Sequence, residues 1–111
     1  MKLVVYVMNN TDLLEEFLHE LKENGIMGAT ILNSTGMARK LIQNDDMEFI
    51  GSLKKLFENP RTESHVILIA LPKEKVSTVF KVIDNVCGSL SEPNSGIAFT
   101  LSIEEIKGCS I

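Results

Sequence analysis

Residues 65–71 read His-Val-Ile-Leu-Ile-Ala-Leu, and residues 72–88 read PKEKVSTVFKVIDNVCG. The first segment is apolar on both of its alternating sets, the pattern of a strand buried on two sides. Pro72 suits the opening of a helix, where a missing N–H costs nothing. Val76, Val79, Phe80, Ile83, Val86 and Cys87 then recur at helical spacing and predict one apolar stripe, with Gly88 as the stop. The stretch is therefore a strand followed by an amphipathic helix.

The same pair occurs at the N-terminal side. Lys2–Met8 (KLVVYVM) is again apolar on both sets, Leu3, Val5 and Val7 on one and Val4, Tyr6 and Met8 on the other. Thr11 to Asn24 predicts a helix capped by Asn10 or Thr11, with Asp12, Glu15 and Glu16 suiting the positive end of its dipole. Leu14, Phe17, Leu18 and Leu21 form its stripe, and Gly25 is suited to a left-handed stop. Each pair is followed by a further strand, Gly28–Ser34 (GATILNS) and Gly96–Leu101 (GIAFTL), the latter with Ile97, Phe99 and Leu101 on one face. Thr35-Gly36 and Ser89–Ser95 are turn segments, and the tail from Ser102 to Ile111 predicts a short strand or turn around Ile103 and Ile106.

The order is β-α-β, an insert, then β-α-β. This is an α+β chain with a ferredoxin-like βαββαβ layout: a four-stranded antiparallel sheet with two helices on one face. The insert, residues 40–64, carries Asp45, Asp46 and Glu48 ahead of Phe49, Ile50, Leu53, Leu56 and Phe57, the spacing of a short amphipathic helix ended by Asn59-Pro60. Its apolar face packs on its own subunit, on a neighbour, or on a partner protein, and Phe49, Leu53 and Leu56 are the candidate partner-binding residues. Two helices cover only one face of the sheet, yet the first and third strands are apolar on both. The second face therefore calls for another subunit, and the chain is expected to be an oligomer of unspecified copy number.

The length of 111 residues fits one domain spanning 1–111, and an apolar fraction of 44% supports a packed core. A net charge of −4 with scattered basic residues excludes a general affinity for nucleic acid. The pairs Arg39-Lys40 and Lys54-Lys55 read as solvated faces. No apolar run reaches the roughly 20 residues of a membrane span, and the start does not have the pattern of a secretory signal. Cys87 and Cys109 are far apart and form no CxxC, so a reducing cytoplasmic location is the default expectation. Neither His19 nor His65 belongs to an HxxxH pattern or neighbours a cysteine, so no zinc site is expected. Cys87 reads as a core residue of the second helix, Cys109 as a tail residue, and no GxSxG or Cys/His pairing is present. Asp45, Asp46 and Glu48 read as the acidic start of the insert helix. Binding rather than catalysis is the expected activity.

Three motifs carry a resemblance. Asn24-Gly25-Ile26-Met27-Gly28-Ala29-Thr30-Ile31 leads into the second strand, Gly36-Met37-Ala38-Arg39 follows it, and Gly96-Ile97-Ala98-Phe99 opens the fourth. In these the chain resembles the P-II nitrogen-regulatory family, whose entry to strand 2, G-x-G-R turn and G-K-I-F segment they match in part. The resemblance implies a homotrimer with its sheets around the axis, an adenine nucleotide (often with 2-oxoglutarate and magnesium) in clefts between subunits, and a loop at 40–64 that reports to a regulatory target protein. It implies that Thr30 hydrogen-bonds a nucleobase, that Gly36 permits a backbone turn that side chains would block, with Met37 beside it at the ligand, that Arg39 supplies a cation for phosphate or carboxylate, and that Gly96 begins the segment at the ligand. Without the resemblance, Thr30, Gly36 and Arg39 read as a strand threonine, a turn glycine and a surface arginine.

The chain also departs from the pattern. Ala38 replaces the second turn glycine, Lys40 the glutamine after the arginine, and Ile97 the lysine; Glu104 and Glu105 stand where arginines are usual. The single tyrosine, Tyr6, lies in the first strand rather than in the loop. Ile97, Glu104 and Glu105 remove positive charge from a triphosphate site, and Lys40 removes the glutamine that helps hold magnesium and 2-oxoglutarate. Two other functions suit the same layout: a ligand-free module that presents the insert helices, and a metal-responsive trimer resembling the cation-tolerance proteins, where threefold symmetry assembles copies of one ligand.

Overall fold

The computed structural model describes residues 1–37, 40–41, 63–93 and 95–108. The elements are β1 (Lys2–Met8), α1 (Leu14–Glu23), β2 (Thr30–Ser34), β3 (Ser64–Leu71), α2 (Val76–Cys87) and β4 (Gly96–Ser102). Short 3-10 turns, Thr11–Leu13 and Lys73–Lys75, lead into the two helices. The sheet order is β2-β3-β1-β4 and each neighbouring pair is antiparallel. This is the ferredoxin-like arrangement, with the two strands that are apolar on both faces at its centre. The insert helix expected between β2 and β3, with Phe49, Leu53 and Leu56, falls outside the described residues.

Register sorts the strand residues by face. Val4 pairs with Ile69, and Tyr6 with Ile67 on one side and Ala98 on the other. Val4, Tyr6, Met8, Ile67, Ile69 and Leu71 are buried beneath Phe17 and Leu21 of α1 and Val79, Val82 and Ile83 of α2. The Tyr6 and Phe17 rings meet edge to face with centroids 5.3 Å apart, a favoured aromatic geometry. Each large side chain sealed here contributes about 1.5–3 kcal/mol by leaving water.

Several local expectations need correction. Asn10 stands at the N-cap of the 3-10 turn and Leu13 at that of α1, and neither makes a side-chain capping bond. The extra 3-10 turn displaces the helix start beyond the reach of Asn10 and Thr11. At the other end Gly25 takes φ 82, as the stop requires. The second strand begins at Thr30 rather than Gly28. In α2, Val82 is buried while Phe80 remains 37% exposed. The two helices touch along their sides, which draws Val82 into the core and leaves Phe80 at the sheet margin. The tail forms no strand among the described residues, although the Ile103 amide donates to the Met1 carbonyl at 3.1 Å.

The opposite sheet face carries Leu3, Val5 and Val7 of β1 and their partners Ala70, Leu68 and Val66 of β3. On the outer strands it carries Ile97, Phe99 and Leu101 of β4, and Thr30 and Leu32 of β2. Leu32, Ile97, Phe99 and Leu101 are 41–57% exposed. No charged side chain lies on this face of the four strands.

Candidate functional site

The candidate residues sit at the margins of the sheet. Thr30 is the first residue of β2, exposed, and paired with Leu68, so it lies on the sheet face opposite the helices, uncovered among the described residues. Gly36 and Met37 follow the other end of β2, with Met37 76% exposed. The Lys40 amide donates to the Gly36 carbonyl at 3.0 Å. Arg39 lies outside the described residues. Gly96 opens β4 at the end of the sheet where β2 finishes, paired with Met8.

Gly36 and Gly96 thus share one end of the sheet but lie on opposite edges, with β3 and β1 between them. Three strand spacings separate the two lines by roughly 14 Å. Thr30 is at the far end of β2, roughly 13 Å along the strand from Ser34. One subunit therefore does not gather Thr30, Gly36 and Gly96 around one small ligand. A second subunit whose β4 edge approached the first one's β2 edge would bring Gly36 and Gly96 together.

The two glycines differ in why they are glycines. Gly36 does not have a positive φ, and a methyl group added there would meet nothing within 4 Å among the described residues. Gly96 has φ 122, and a Cβ there would collide with the Val7 carbonyl oxygen. Only glycine fits where β4 joins β1.

The described charges near this end are mostly acidic. Asp12 follows β1, Glu63 precedes β3 and Glu92 precedes β4, against Lys40 after β2. An anion bound here needs added positive charge, the role the resemblance gives Arg39. Buried in the core nearby, the Tyr6 hydroxyl makes no hydrogen bond of good geometry and has only the weakly polar Cys87 thiol coupled to it. Burial, then Cys87, push the Tyr6 phenol far above its ordinary value of 10.0. Burial also raises the Cys87 thiol, partly offset by Tyr6, so the thiol stays protonated. Cys87 is half-buried and packs against the core. His19 is exposed, 3.7 Å from Glu23, and His65 is the second residue of β3 with its Nδ1 buried and unpartnered. No group of three His, Cys, Asp or Glu converges among the described residues.

Several grooves indent the described surface, three of them near the strands and helices described above. One of about 500 Å³ lies between the α1–β2 connection and the end of β3, lined by Gly28, Leu71, Lys75 and Gly108 among others. A second, of about 310 Å³, runs between α2 and β4 beside Phe80, Asp84, Leu90 and Gly96. The third, of about 270 Å³, follows the β2 margin along Leu18, Lys22, Met27 and Ile31. None is lined by Thr30, Gly36 or Met37. Sequence reasoning found the uncovered face through the doubly apolar central strands. It missed the α2–β4 groove, whose lining includes Leu90 from a segment read only as a turn.

No helix among the described residues is long and apolar enough to cross a membrane. The chain matches no protein-family model and no curated protein.

Proposed function

We propose that this chain is a cytoplasmic signal-transduction protein of the P-II type, divergent in sequence, that acts by binding rather than by catalysis. It assembles as a homo-oligomer, a trimer by resemblance, through the uncovered sheet face. It takes a small anionic ligand, an adenine nucleotide among the candidates, in clefts between subunits, with Thr30, Gly36, Met37, Arg39 and Gly96 as the contacting residues. Residues 40–64 report the occupancy of that cleft to a regulatory target through Phe49, Leu53 and Leu56. A ligand shifts such a segment only by binding one of its conformations better.

The observation that carries this reading is the charge-free apolar sheet face, together with Gly36 and Gly96 at one end on opposite edges. A face of this kind marks an interface. On this reading a neighbour completes the cleft, which the separation of the two glycines within one subunit supports.

The test is a thermal-shift panel on the full chain with ATP, ADP, AMP, cyclic nucleotides, 2-oxoglutarate, bicarbonate and divalent metals. A ligand at about 100 times its Kd stabilises the fold by roughly 2.7 kcal/mol. A shift with an anionic compound that Arg39→Ala weakens supports the proposal. An anion-induced shift that Arg39→Ala leaves unchanged overturns the role given to Arg39. A shift with a divalent metal alone favours a metal-responsive trimer, and no shift at all favours a ligand-free interaction module.

A further inference from the structure

The chain leaves α2 through a turn with two residues at positive φ, Gly88 at 85° and Leu90 at 61°. Glycine adopts such a conformation freely. Leucine does so at a cost, because its Cβ crowds the backbone. Leu90 is the one non-glycine residue with positive φ among the described residues. Its side chain is half-buried, packs against the core, and forms one wall of the groove between α2 and β4 with Phe80, Ile83, Ile97 and Ala98.

What holds Leu90 there is its side chain. No backbone hydrogen bond ties Ser89, Leu90 or Ser91 to the body of the domain among the described residues. The Ser89 and Ser91 hydroxyls bond each other at 2.8 Å, which shapes the turn without anchoring it. A strained backbone persists only where its surroundings over-determine it. Here the surroundings amount to one apolar side chain seated in a groove.

We propose that the Gly88–Glu92 turn is a strained strap with Leu90 as its plug. Seated, Leu90 fills part of the α2–β4 groove and holds the backbone left-handed. Released, the backbone relaxes to negative φ and the groove deepens along Ile83 and Ala98, beside Gly96. The strap regulates access to that groove, and it does so whether or not the ligand-binding proposal above is correct.

Two measurements on the full chain test it. The first compares Leu90→Gly with Leu90→Ala by thermal unfolding. Both remove the plug, and with it what holds the backbone left-handed, so the alanine variant is expected to melt at or above the glycine variant, glycine being the costlier residue in the unfolded chain. If the turn itself imposed the positive φ, the alanine variant would keep the strain and the glycine variant would melt about 2–6 °C higher. The second is methyl relaxation dispersion on protein labelled at Leu, Ile and Ala methyls. Exchange on the microsecond-to-millisecond scale is expected at Leu90, Ile83 and Ala98 and not at Leu21 of α1. A glycine variant that melts clearly above the alanine variant, or flat dispersion at Leu90, overturns the proposal.

Discussion

Gly96→Ala is the substitution whose cost the structure defines best. The added methyl would overlap the Val7 carbonyl oxygen, which belongs to the central strand and cannot rotate away. Overpacking of this kind costs typically 1–3 kcal/mol. The φ of 122° adds a conformational cost of about 1–2 kcal/mol for any residue with a Cβ. The sum, roughly 2–5 kcal/mol, is a large share of the total stability of a chain this size, on the order of 6–16 kcal/mol. At roughly 4 °C per kcal/mol the melting temperature should fall by about 8–20 °C. Gly36→Ala is the control: with no positive φ and open space among the described residues, it should leave stability unchanged or raise it by up to about 1 kcal/mol. Urea denaturation of both variants provides the assay. A Gly96→Ala midpoint indistinguishable from wild type would refute the argument, because it would mean that β4 does not join β1 in this register.

Two further outcomes follow from the packing. Tyr6 is the only tyrosine, and its folded-state pKa is raised above 10.0 by burial. Its contribution to stability is therefore complete below pH 10 and lost as pH rises beyond it. In an alkaline titration followed by absorbance, tyrosinate should appear only together with loss of circular dichroism; ionisation of the folded protein near pH 10 would contradict the buried placement. Val5→Lys places a charge at the centre of the uncovered sheet face, so the proposed oligomer should dissociate while the monomer stays folded. Light scattering with circular dichroism would detect this, and an unchanged mass would remove the sheet face from the interface.

The architecture was legible because two different periods alternate along the chain. Lys2–Met8 has the boundaries that its pattern predicts, and α2 ends ahead of Gly88 as expected, but α2 opens at Val76 behind a 3-10 turn rather than at Pro72. The doubly apolar central strands also foretold an apolar sheet face opposite the helices. Less legible were features decided by tertiary contact. Burial of Val82 in place of Phe80 depends on how α2 leans against α1, which a helical stripe does not encode. The strain at Leu90 had no signal, because leucine is an ordinary residue whose backbone here is set by where its side chain is seated. The candidate site was legible only as separate motifs. Thr30, Gly36 and Gly96 look like one set in the sequence, but the strand order spreads them over two edges and two ends of the sheet.

The central claim is that a second copy completes the ligand cleft, and native mass spectrometry of the full chain with and without ATP tests it most directly. It reads copy number and bound ligand in one spectrum. The account predicts an oligomer, three copies by the resemblance, that carries nucleotide or another small anion while the free monomer carries none. A monomer at all concentrations, or a monomer that binds the anion as well as the oligomer does, would contradict it.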